Sequence, residues 1–287
     1  MLELAGWDLH FGWPGRGPLA VWGRKPAARR VLALARLTGA DVLTVEDGYL
    51  RSVHPGDPPL SLTLDPIGVH YDGARPSRLE ELIREAPDDP ARHAQARAAM
   101  ATLRRKGLSK YTPLPRQAGP EPGYVLVVDQ VRGDASLTAS GATAETFQRM
   151  AEAARAENPE ARILIRGHPA GRGHLPGALA PQNPWPLIEG AARVYTVSSQ
   201  LGFEALMAGR PVTCFGQPFY AGWGLTDDRI PCPRRVPRSL EQVVAAALFD
   251  HAIYYDPYRD SLCDFERAVE VLAFLAARLG SGGGKPL

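Results

Sequence analysis

The sequence predicts an α/β protein built from two units, each with a parallel β-sheet, that face each other across a central cleft. Short β-like runs alternate with helical patterns along the chain, which favours parallel sheets covered by helices. Residues 112–123, with four prolines and two glycines, interrupt this alternation and cannot continue a helix or a central strand. A length of 287 residues is enough for two domains with a linker between them.

The first unit, residues 1–111, begins with a strand–helix–strand pattern. A further extended segment follows at residues 60–69, and two helices are expected after it, the first with Ser77 as its N-cap and the second ending at Gly107. The segments that form the opening pattern are residues 19–22, 26–37 and 41–45, and the two later helices are residues 77–85 and 90–106.

The second unit, residues 124–259, repeats the alternation after the linker at residues 112–123. Its predicted strands are residues 124–128, 162–165, 192–197 and 212–215, and its predicted helices are residues 143–157, 199–207 and 239–249. An amphipathic helix at residues 260–279 and a disordered glycine-rich tail at residues 280–287 complete the prediction. Two such units place the carboxyl ends of their strands at a shared cleft, where open α/β folds bind ligands.

The charge balance excludes a broad basic surface. Thirty-three basic and thirty-one acidic residues give a net charge of +2, so we expect no nucleic-acid partner, and any anionic ligand must be held by local groups. Three cysteines without metal-type spacing indicate a reducing compartment. No leader pattern or membrane span is visible, so we expect a cytoplasmic protein, at most peripheral to the inner membrane.

Two acidic motifs follow predicted strands. Glu46-Asp47-Gly48 can present one carboxylate to a ligand while the other caps backbone amides, although an Asp-Gly turn alone is the alternative. The adjoining residues Tyr49-Leu50-Arg51-Ser52 favour the functional interpretation. Asp134 lies in the loop 130–136 between small neighbours, where it suits a nucleophile or base, or else a turn or cap residue.

Histidine and serine motifs predict a site for an anion. Pro169 restrains the backbone after His168, which could donate to a phosphate, and His174 is close enough to compete for that role. Ser198 and Ser199 precede a helix whose free amides favour an anion, although Ser199 could be a simple N-cap.

Three further features admit two interpretations each. Glu204 could accept from a ribose hydroxyl or face solvent. The apolar, glycine-rich loop 215–228, which contains Trp223, suits a lid or platform for a ring-shaped ligand, or a plug between domains. Lys110 near the hinge could hold a carboxylate or phosphate, or remain solvated.

Together, the motifs between about residues 15 and 275 resemble bacterial capsule polysaccharide biosynthesis/export proteins of the KpsC/KpsS type. The most specific match is the run from Ser198 to Gly216 with the following Tyr-Ala-Gly-Trp-Gly. The other matching motifs are Trp22-Gly23-Arg24-Lys25, residues 46–52, residues 59–72, Ser109-Lys110-Tyr111, residues 130–136 and His168-Pro169. The chain departs from the family at Arg132-Gly133, where acidic residues are common, and at Thr112, where asparagine is common.

This resemblance implies a GT-B-like fold with two Rossmann-like domains and a retaining β-Kdo glycosyltransferase that uses CMP-Kdo. The acceptor would be a lipid-linked or Kdo-terminated glycan, and no metal or other cofactor is expected. Asp134 would be the nucleophile of a double displacement, Glu46 the acid/base, and His168 a phosphate ligand. The implied donor-binding residues are Ser198, Ser199, Gln200, Glu204, Lys110, Arg166 and Gln130, and the implied sugar-binding or acceptor-binding residues are Asp47, Arg51 and Trp223.

Two other functions remain open on the sequence. One is an inverting CMP-sialic acid-type transferase that uses the Glu-Asp-Gly carboxylate as a base. The other is a non-catalytic polysaccharide-binding or export module. The KpsC-type relatives carry two such modules in tandem, whereas one module is recognisable here.

Overall fold

Two five-stranded sheets with flanking helices make up the fold. The computed structural model describes residues 1–10, 17–23, 26–167 and 172–279. The predicted disordered tail at 280–287 and His168 therefore lie outside the described residues. The two-unit α/β class that the sequence predicts is confirmed.

The described residues of the first unit form three strands and three helices before the linker. In chain order these are β1 (Leu19–Trp22), α1 (Pro26–Thr38), β2 (Val42–Asp47), β3 (Ser61–Asp65), α2 (Arg78–Glu85) and α3 (Pro90–Lys106). Ser77 caps α2 by accepting from the Glu80 amide, and α3 ends at Gly107, whose φ of 66° lies in the left-handed region. Residues 112–123, all of them described, contain neither helix nor strand.

The second unit is a doubly wound sheet. Its elements are β4 (Tyr124–Val128), α4 (Ala135–Ser140), α5 (Ala144–Glu157), β5 (Ile163–Arg166), α6 (Pro184–Gly190), β6 (Ala191–Thr196), α7 (Gln200–Met207), β7 (Val212–Cys214), β8 (Asp227–Asp228) and α8 (Leu240–Ala245), which a π-helical turn at Ala246–His251 continues. The strand order is β5-β4-β6-β7-β8, and every pairing is parallel.

The chain then returns to the first unit through β9 (Ala252–Asp256), β10 (Ser261–Cys263) and α9 (Phe265–Leu279). The first sheet has the order β1-β2-β3-β9-β10. Residues 252–259, which the sequence predicts to be part of the second unit, thus lie partly in the first sheet. The helix expected at 260–279 begins at Phe265 after a strand.

The first sheet is mixed, in contrast to the parallel sheet predicted from the sequence. β1 and β2 are parallel, whereas β2 pairs with β3, β3 with β9, and β9 with β10 in antiparallel fashion. Parallel strands need a long crossover connection, usually a helix. The 48–60 segment between β2 and β3 contains no helix, and only four residues separate β9 from β10, so both connections produce antiparallel pairs.

The central strand β4 is buried on both faces, which explains its uninterrupted apolar sequence. Val125 and Val127 pack in one cluster with Phe147 and Met150 of α5. The alternate positions of β4 belong to the larger cluster on the opposite face, which also contains residues of the first unit. This strand places the loop that follows it, residues 129–134, at the carboxyl edge of the sheet.

A buried ionic junction joins the two units. Glu80 of α2 accepts from Arg234 Nε at 2.8 Å and from Arg235 Nε at 3.1 Å, and the side chains of Glu80 and Arg235 are each only 4% exposed. The Arg235 guanidinium also donates to the carbonyls of Pro218 and Ala221 at 2.6 and 2.8 Å. The junction therefore holds the loop 215–228 against the first unit.

A close backbone approach accompanies the junction. Gly73 of the first unit lies so near Gln217 that a Cβ at position 73 would overlap it. Arg234 also donates to the Gly73 carbonyl at 2.7 Å. None of the helices within the described ranges is both long and apolar enough to span a bilayer.

We expect Glu80→Ala to lower the free energy of unfolding by about 3–5 kcal/mol, because it leaves the Arg235 charge buried without its partner. The matched control is Glu81→Ala on the same helix, which removes a partly exposed ion pair with Arg78 and should cost about 0–1 kcal/mol. Urea denaturation of the two variants measures the difference. Equal losses in the two variants would show that the junction contributes no more to the free energy of unfolding than a surface ion pair does.

Acid should weaken the same junction. Burial acts to raise the pKa of Glu80, but the bonds from Arg234 and Arg235 outweigh it, so its pKa lies below the ordinary 4.5. The stabilisation is therefore present above pH 4.5 and is lost as the pH falls through the folded-state pKa. The difference in stability between wild type and Glu80→Ala should narrow in acid.

Candidate active site

A cavity of about 390 Å³ lies where the two units meet. Nine residues predicted from the sequence line it: Glu46 and Lys110 from the first unit, and Gln130, Asp134, Arg166, Ser198, Ser199, Gln200 and Glu204 from the second. Most of these residues lie at or just after the carboxyl end of a strand, which is β2 in the first sheet and β4, β5 or β6 in the second. The parallel strands of the second sheet present those ends at one edge. The structure therefore brings most of the expected polar residues into one site.

Glu46 lies at the end of β2 and faces Tyr71 across the backbone of Gly23. The Asp47 amide donates to Glu46 Oε1 at 2.8 Å, and the Tyr71 hydroxyl forms a hydrogen bond with the carboxylate. Burial is the main cause that raises the pKa of Glu46 above its usual value, while the Asp47 amide and the charge of Lys110 oppose it. A raised pKa suits a carboxyl that must both release and accept a proton.

Gly23 is required at this point for two reasons. Its φ of 49° lies in the left-handed region. In addition, a Cβ here would overlap the Glu46 carboxylate and crowd the Tyr71 hydroxyl. Glycine thus leaves room for the carboxylate at the cavity wall.

Asp134 is the N-cap of α4, and its two oxygens have different environments. Oδ1 accepts from the amide and from the hydroxyl of Ser136, both at 2.8 Å. Oδ2 makes no hydrogen bond with any other described residue. The cap thus orients the carboxylate through one oxygen and leaves the second available to the cavity, so the cap and nucleophile interpretations of Asp134 are compatible.

A small polar network ties the Asp134 loop to the start of α7. Ser136 Oγ lies 3.1 Å from Ser198 Oγ, and the Ser198 amide donates to Gln130 Oε1 at 2.9 Å. Gln130 Nε2 also donates to Ser198 Oγ at 3.2 Å. These bonds fix the distance between the carboxylate of Asp134 and the amides at the α7 N-terminus.

The N-terminus of α7 supplies the anion-binding character of the site. Ser199 is the N-cap and accepts from the Leu201 amide at 3.3 Å. Gln200 donates across the cleft to the Tyr49 carbonyl at 2.9 Å. The helix dipole at this end favours a negatively charged group, and the Gln200 amide donates to no other described residue.

Glu204 is a buried carboxyl that bridges the two units. It is 3% exposed, and Ser109 of the first unit donates to its Oε1 at 2.6 Å. Burial raises the pKa of Glu204 to about 7, against the opposing effects of Ser109 and Arg166. The solvent-facing alternative for Glu204 is therefore wrong.

Two cations border the cavity with different partners. Arg166, at the end of β5, donates to the carbonyls of Gly167 and Gln182, and burial lowers its pKa below the usual value. Its Nε has no hydrogen-bond partner among the described residues. The Lys110 ammonium forms no ion pair with another described residue, so both cations can bind an anionic ligand.

Asp47 and Arg51 do not line the cavity. Arg51 Nε forms an ion pair with Asp47 Oδ2 at 2.8 Å, and the Arg51 guanidinium also donates to the carbonyl of Asp57 at 2.6 Å. The pair braces the loop after β2 from behind Glu46. Both side chains are thus committed to protein partners, and their role in sugar binding stays a prediction.

Trp223 is also absent from the cavity wall. It is 1% exposed, and its indole N–H donates to the Phe219 carbonyl at 2.7 Å, with Arg235 packed on the ring. Trp223 itself is therefore a buried residue that packs beside the junction with Glu80, and it has no surface that faces a sugar in the cavity. Phe219 lines the cavity instead.

His168, the histidine predicted to bind phosphate, lies outside the described residues. Its competitor His174 is not part of the cavity wall. His174 stacks on Phe147 at a centroid distance of 4.1 Å, and its amide donates to Asp129. His174 is thus a packing residue.

Nine cavity residues have no role assigned from the sequence: His70, Tyr71, Ser109, Tyr111, Ala135, Ser136, Leu201, Pro218 and Phe219. Several of them flank predicted residues in the same motifs. At these positions the residue type alone does not distinguish a cavity residue from a buried structural one. Within the described ranges, no group of three or more histidine, cysteine or acidic side chains is placed to hold a metal ion.

A family model described as "Capsule polysaccharide biosynthesis protein" matches residues 18–112, 109–177 and 179–255. The capsule polysaccharide modification protein LipA of Neisseria meningitidis serogroup A is 38% identical over 284 residues, which cover 87% of this chain and 40% of LipA. The lipopolysaccharide-processing protein LpsZ of Rhizobium meliloti is 39% identical, over 80% of this chain and 58% of LpsZ. The chain thus spans less than two thirds of these curated relatives.

Two solved structures are similar in both fold and sequence. The beta Kdo 2,4 transferase of Thermosulfurimonas dismutans KpsC superposes with a TM-score of 0.82 at 39% identity, covering 91% of this chain and 89% of that chain. The beta Kdo 2,7 transferase of the same KpsC gives a TM-score of 0.72 at 34% identity, covering 90% and 85%.

We expect the buried Glu204 carboxyl to make folding stability decrease as the pH rises. Its pKa is about 7 in the folded protein against an ordinary value of 4.5, so the folded state favours the protonated form. The resulting stabilisation is complete below pH 4.5 and is lost as the pH rises to 7, by about 3 kcal/mol in total.

Urea unfolding between pH 4.5 and 8 measures this dependence. The Glu204→Gln variant mimics the protonated carboxyl, so its free energy of unfolding should no longer fall as the pH rises. The exposed control Glu121→Gln should keep the wild-type pH dependence. Identical slopes in wild type and Glu204→Gln would contradict the assignment.

Proposed function

Because the chain belongs to the capsule polysaccharide biosynthesis protein family, we propose that it is a glycosyltransferase that moves Kdo from CMP-Kdo to a glycan acceptor. The observation that carries the proposal is the position of Asp134. Its Oδ2 is uncommitted at a cavity that also contains the α7 N-terminus, and a bound sugar nucleotide would need both. The two KpsC structures, whose names specify beta Kdo transferases, support the choice of sugar.

The second unit would bind the CMP part of the donor. The Gln200 amide at the start of α7 and the hydroxyls of Ser198 and Ser199 would donate to the phosphate, and His168 would add a donor as the sequence resemblance implies. Glu204, in either protonation state, can accept from a ribose hydroxyl through Oε2, which has no partner among the described residues. Gln130 and Gln200 would position these groups.

The first displacement would form a covalent adduct. Asp134 Oδ2 attacks the anomeric carbon of Kdo, the bond from that carbon to the phosphate oxygen breaks, and CMP departs with the bonding electrons. The α7 N-terminus stabilises the negative charge on the leaving phosphate through its helix dipole and the Gln200 amide. Ser136 holds the other carboxylate oxygen in place during the attack.

The second displacement would transfer the sugar. An acceptor hydroxyl attacks the anomeric carbon from the opposite side, Glu46 takes the hydroxyl proton, and the bond to Asp134 breaks so that its carboxylate is restored. Two inversions give net retention of configuration. The raised pKa of Glu46 brings it closer to the range in which proton transfer at neutral pH is efficient.

The carboxylate of Kdo needs a cationic partner. Lys110 and Arg166 both line the cavity and can supply charge-assisted hydrogen bonds. Arg51, which the resemblance implies as a sugar-binding or acceptor-binding residue, is already paired with Asp47. We therefore assign the Kdo carboxylate to Lys110 and Arg166.

The acceptor would enter from the first unit, where Glu46 lies. We propose a lipid-linked or Kdo-terminated glycan as acceptor, so that the product forms part of the Kdo linker of a capsular polysaccharide. Supply of CMP-sugars inside the cell would place the reaction in the cytoplasm, and a lipid-linked acceptor would bring the protein to the inner membrane as a peripheral protein.

The test is a CMP-release assay with CMP-Kdo and a panel of Kdo-terminated acceptors. We expect Asp134→Asn, which preserves the N-cap, to reduce transfer at least 10³-fold, roughly the loss expected when a nucleophile is removed. Glu46→Gln should slow transfer by about 10²–10⁴-fold and let the sugar adduct on Asp134 accumulate, which peptide mass analysis detects. Asp41→Asn, at an exposed carboxylate on the first unit, is the control.

Product NMR completes the test, since the proposal requires the anomeric configuration of the donor to be retained. Full activity of Asp134→Asn would overturn the adduct mechanism. Inverted product would favour a CMP-sialic acid-type mechanism, and glycan binding without CMP release would favour a non-catalytic module.

A further inference from the structure

His70 lies at the cavity wall inside a cluster of aromatic rings. Its ring centroid is 5.5 Å from that of Tyr49, 5.4 Å from Tyr71, 6.1 Å from Phe219 and 5.8 Å from His251. Tyr49 and Tyr71 belong to the first unit, whereas Phe219 belongs to the loop that the ionic junction anchors. The imidazole therefore has little freedom to turn away from the cavity.

The two histidines of this cluster differ in their hydrogen bonds. His251 Nδ1 lies 3.1 Å from the Tyr49 hydroxyl, and its Nε2 lies 3.8 Å from Asp65 Oδ2. His70, in contrast, makes no hydrogen bond through either ring nitrogen to another described residue. His251 is thus held by its protein partners, whereas the nitrogens of His70 remain available to a ligand in the cavity.

The surroundings keep His70 uncharged at neutral pH. Burial is the largest cause that lowers its pKa well below 6.5, and the neighbouring His251 and Lys110 lower it further. Asp65 acts in the opposite direction with a smaller effect, and the Glu46 carboxyl lines the same cavity. A neutral imidazole offers one donor and one acceptor. That combination matches a hydroxyl group, whereas a phosphate or carboxylate would favour a cation.

We propose that His70 positions the acceptor by forming a hydrogen bond with a hydroxyl of the acceptor sugar beside Glu46. This inference rests on the proposed function and adds a specificity residue to it. The acceptor is chosen over the donor because His70 shares the first unit with Glu46 and Tyr71, while the groups suited to the nucleotide phosphate come from the second unit. His70 takes no part in bond breaking.

Steady-state kinetics with CMP-Kdo and a Kdo-terminated acceptor test the proposal. His70→Phe keeps a ring in the cluster but removes both nitrogens, so the acceptor KM should rise about 5–10-fold, the value of one neutral hydrogen bond, with kcat within about 2-fold of wild type. His70→Gln retains a donor and an acceptor and should recover part of the loss. The acceptor KM should rise more than the donor KM, because the groups suited to the nucleotide phosphate come from the second unit.

The control is His10→Phe, at an exposed histidine. An unchanged acceptor KM in His70→Phe, or an equal rise in the donor KM, would overturn the proposal. Thermal denaturation of both His70 variants shows whether a loss reflects unfolding, and the partial recovery in His70→Gln separates hydrogen bonding from packing.

A binding measurement makes the result independent of turnover. The imidazole ¹⁵N signals of His70, assigned by their loss in His70→Phe, should shift when the Kdo-terminated glycan is added without donor, and the variant should bind the glycan about 5–10-fold more weakly. Unshifted signals, equal affinities or no glycan binding by wild type would overturn the role of His70. If His70→Phe binds the glycan more weakly but wild type releases no CMP, the result would support His70 as a glycan ligand and contradict the proposed transferase function.

Discussion

The buried junction between Glu80 and the arginines at 234 and 235 is the interaction on which the geometry of the cleft depends. A charged side chain that is only 4% exposed is costly unless it is paired and hydrogen-bonded. Here the Arg235 guanidinium pairs with the Glu80 carboxylate and donates to two backbone carbonyls. Those carbonyls belong to the loop that carries Phe219. The junction thus brings a loop of the second unit onto the first, closes one wall of the cavity and buries Trp223 behind it.

The contacts nearer the cavity couple the two units through polar groups. Ser109 donates to Glu204 and Gln200 donates to the Tyr49 carbonyl, so each unit supplies one partner. Because these bonds lie beside the site, a relative displacement of the units would alter the surroundings of Glu204 and the start of α7 at once. The site is consequently a property of the assembled pair of units.

The cavity reconciles a nearly neutral chain with an anionic ligand. A net charge of +2 provides no attractive field, but Lys110 and Arg166 line the same cavity as the α7 N-terminus. Electrostatic attraction between buried groups is stronger than in water, because the effective dielectric constant around them is lower. The same burial raises the pKa of Glu46 and Glu204 and lowers that of His70, so groups that are charged in water are shifted towards their neutral forms.

The amino-acid sequence by itself determined the two-unit α/β class and most of the cavity residues, since local periodicity shows where strands end and parallel strands bring those ends to one edge. Only the tertiary structure decided the antiparallel pairs of the first sheet and the return of β9 to it. It also decided that Asp47 and Arg51 pair with each other, that Trp223 is buried and that His70 faces the cavity. The reason is that pairing and burial depend on partners far apart in the chain, such as Glu80 and Arg235, which no local pattern reveals.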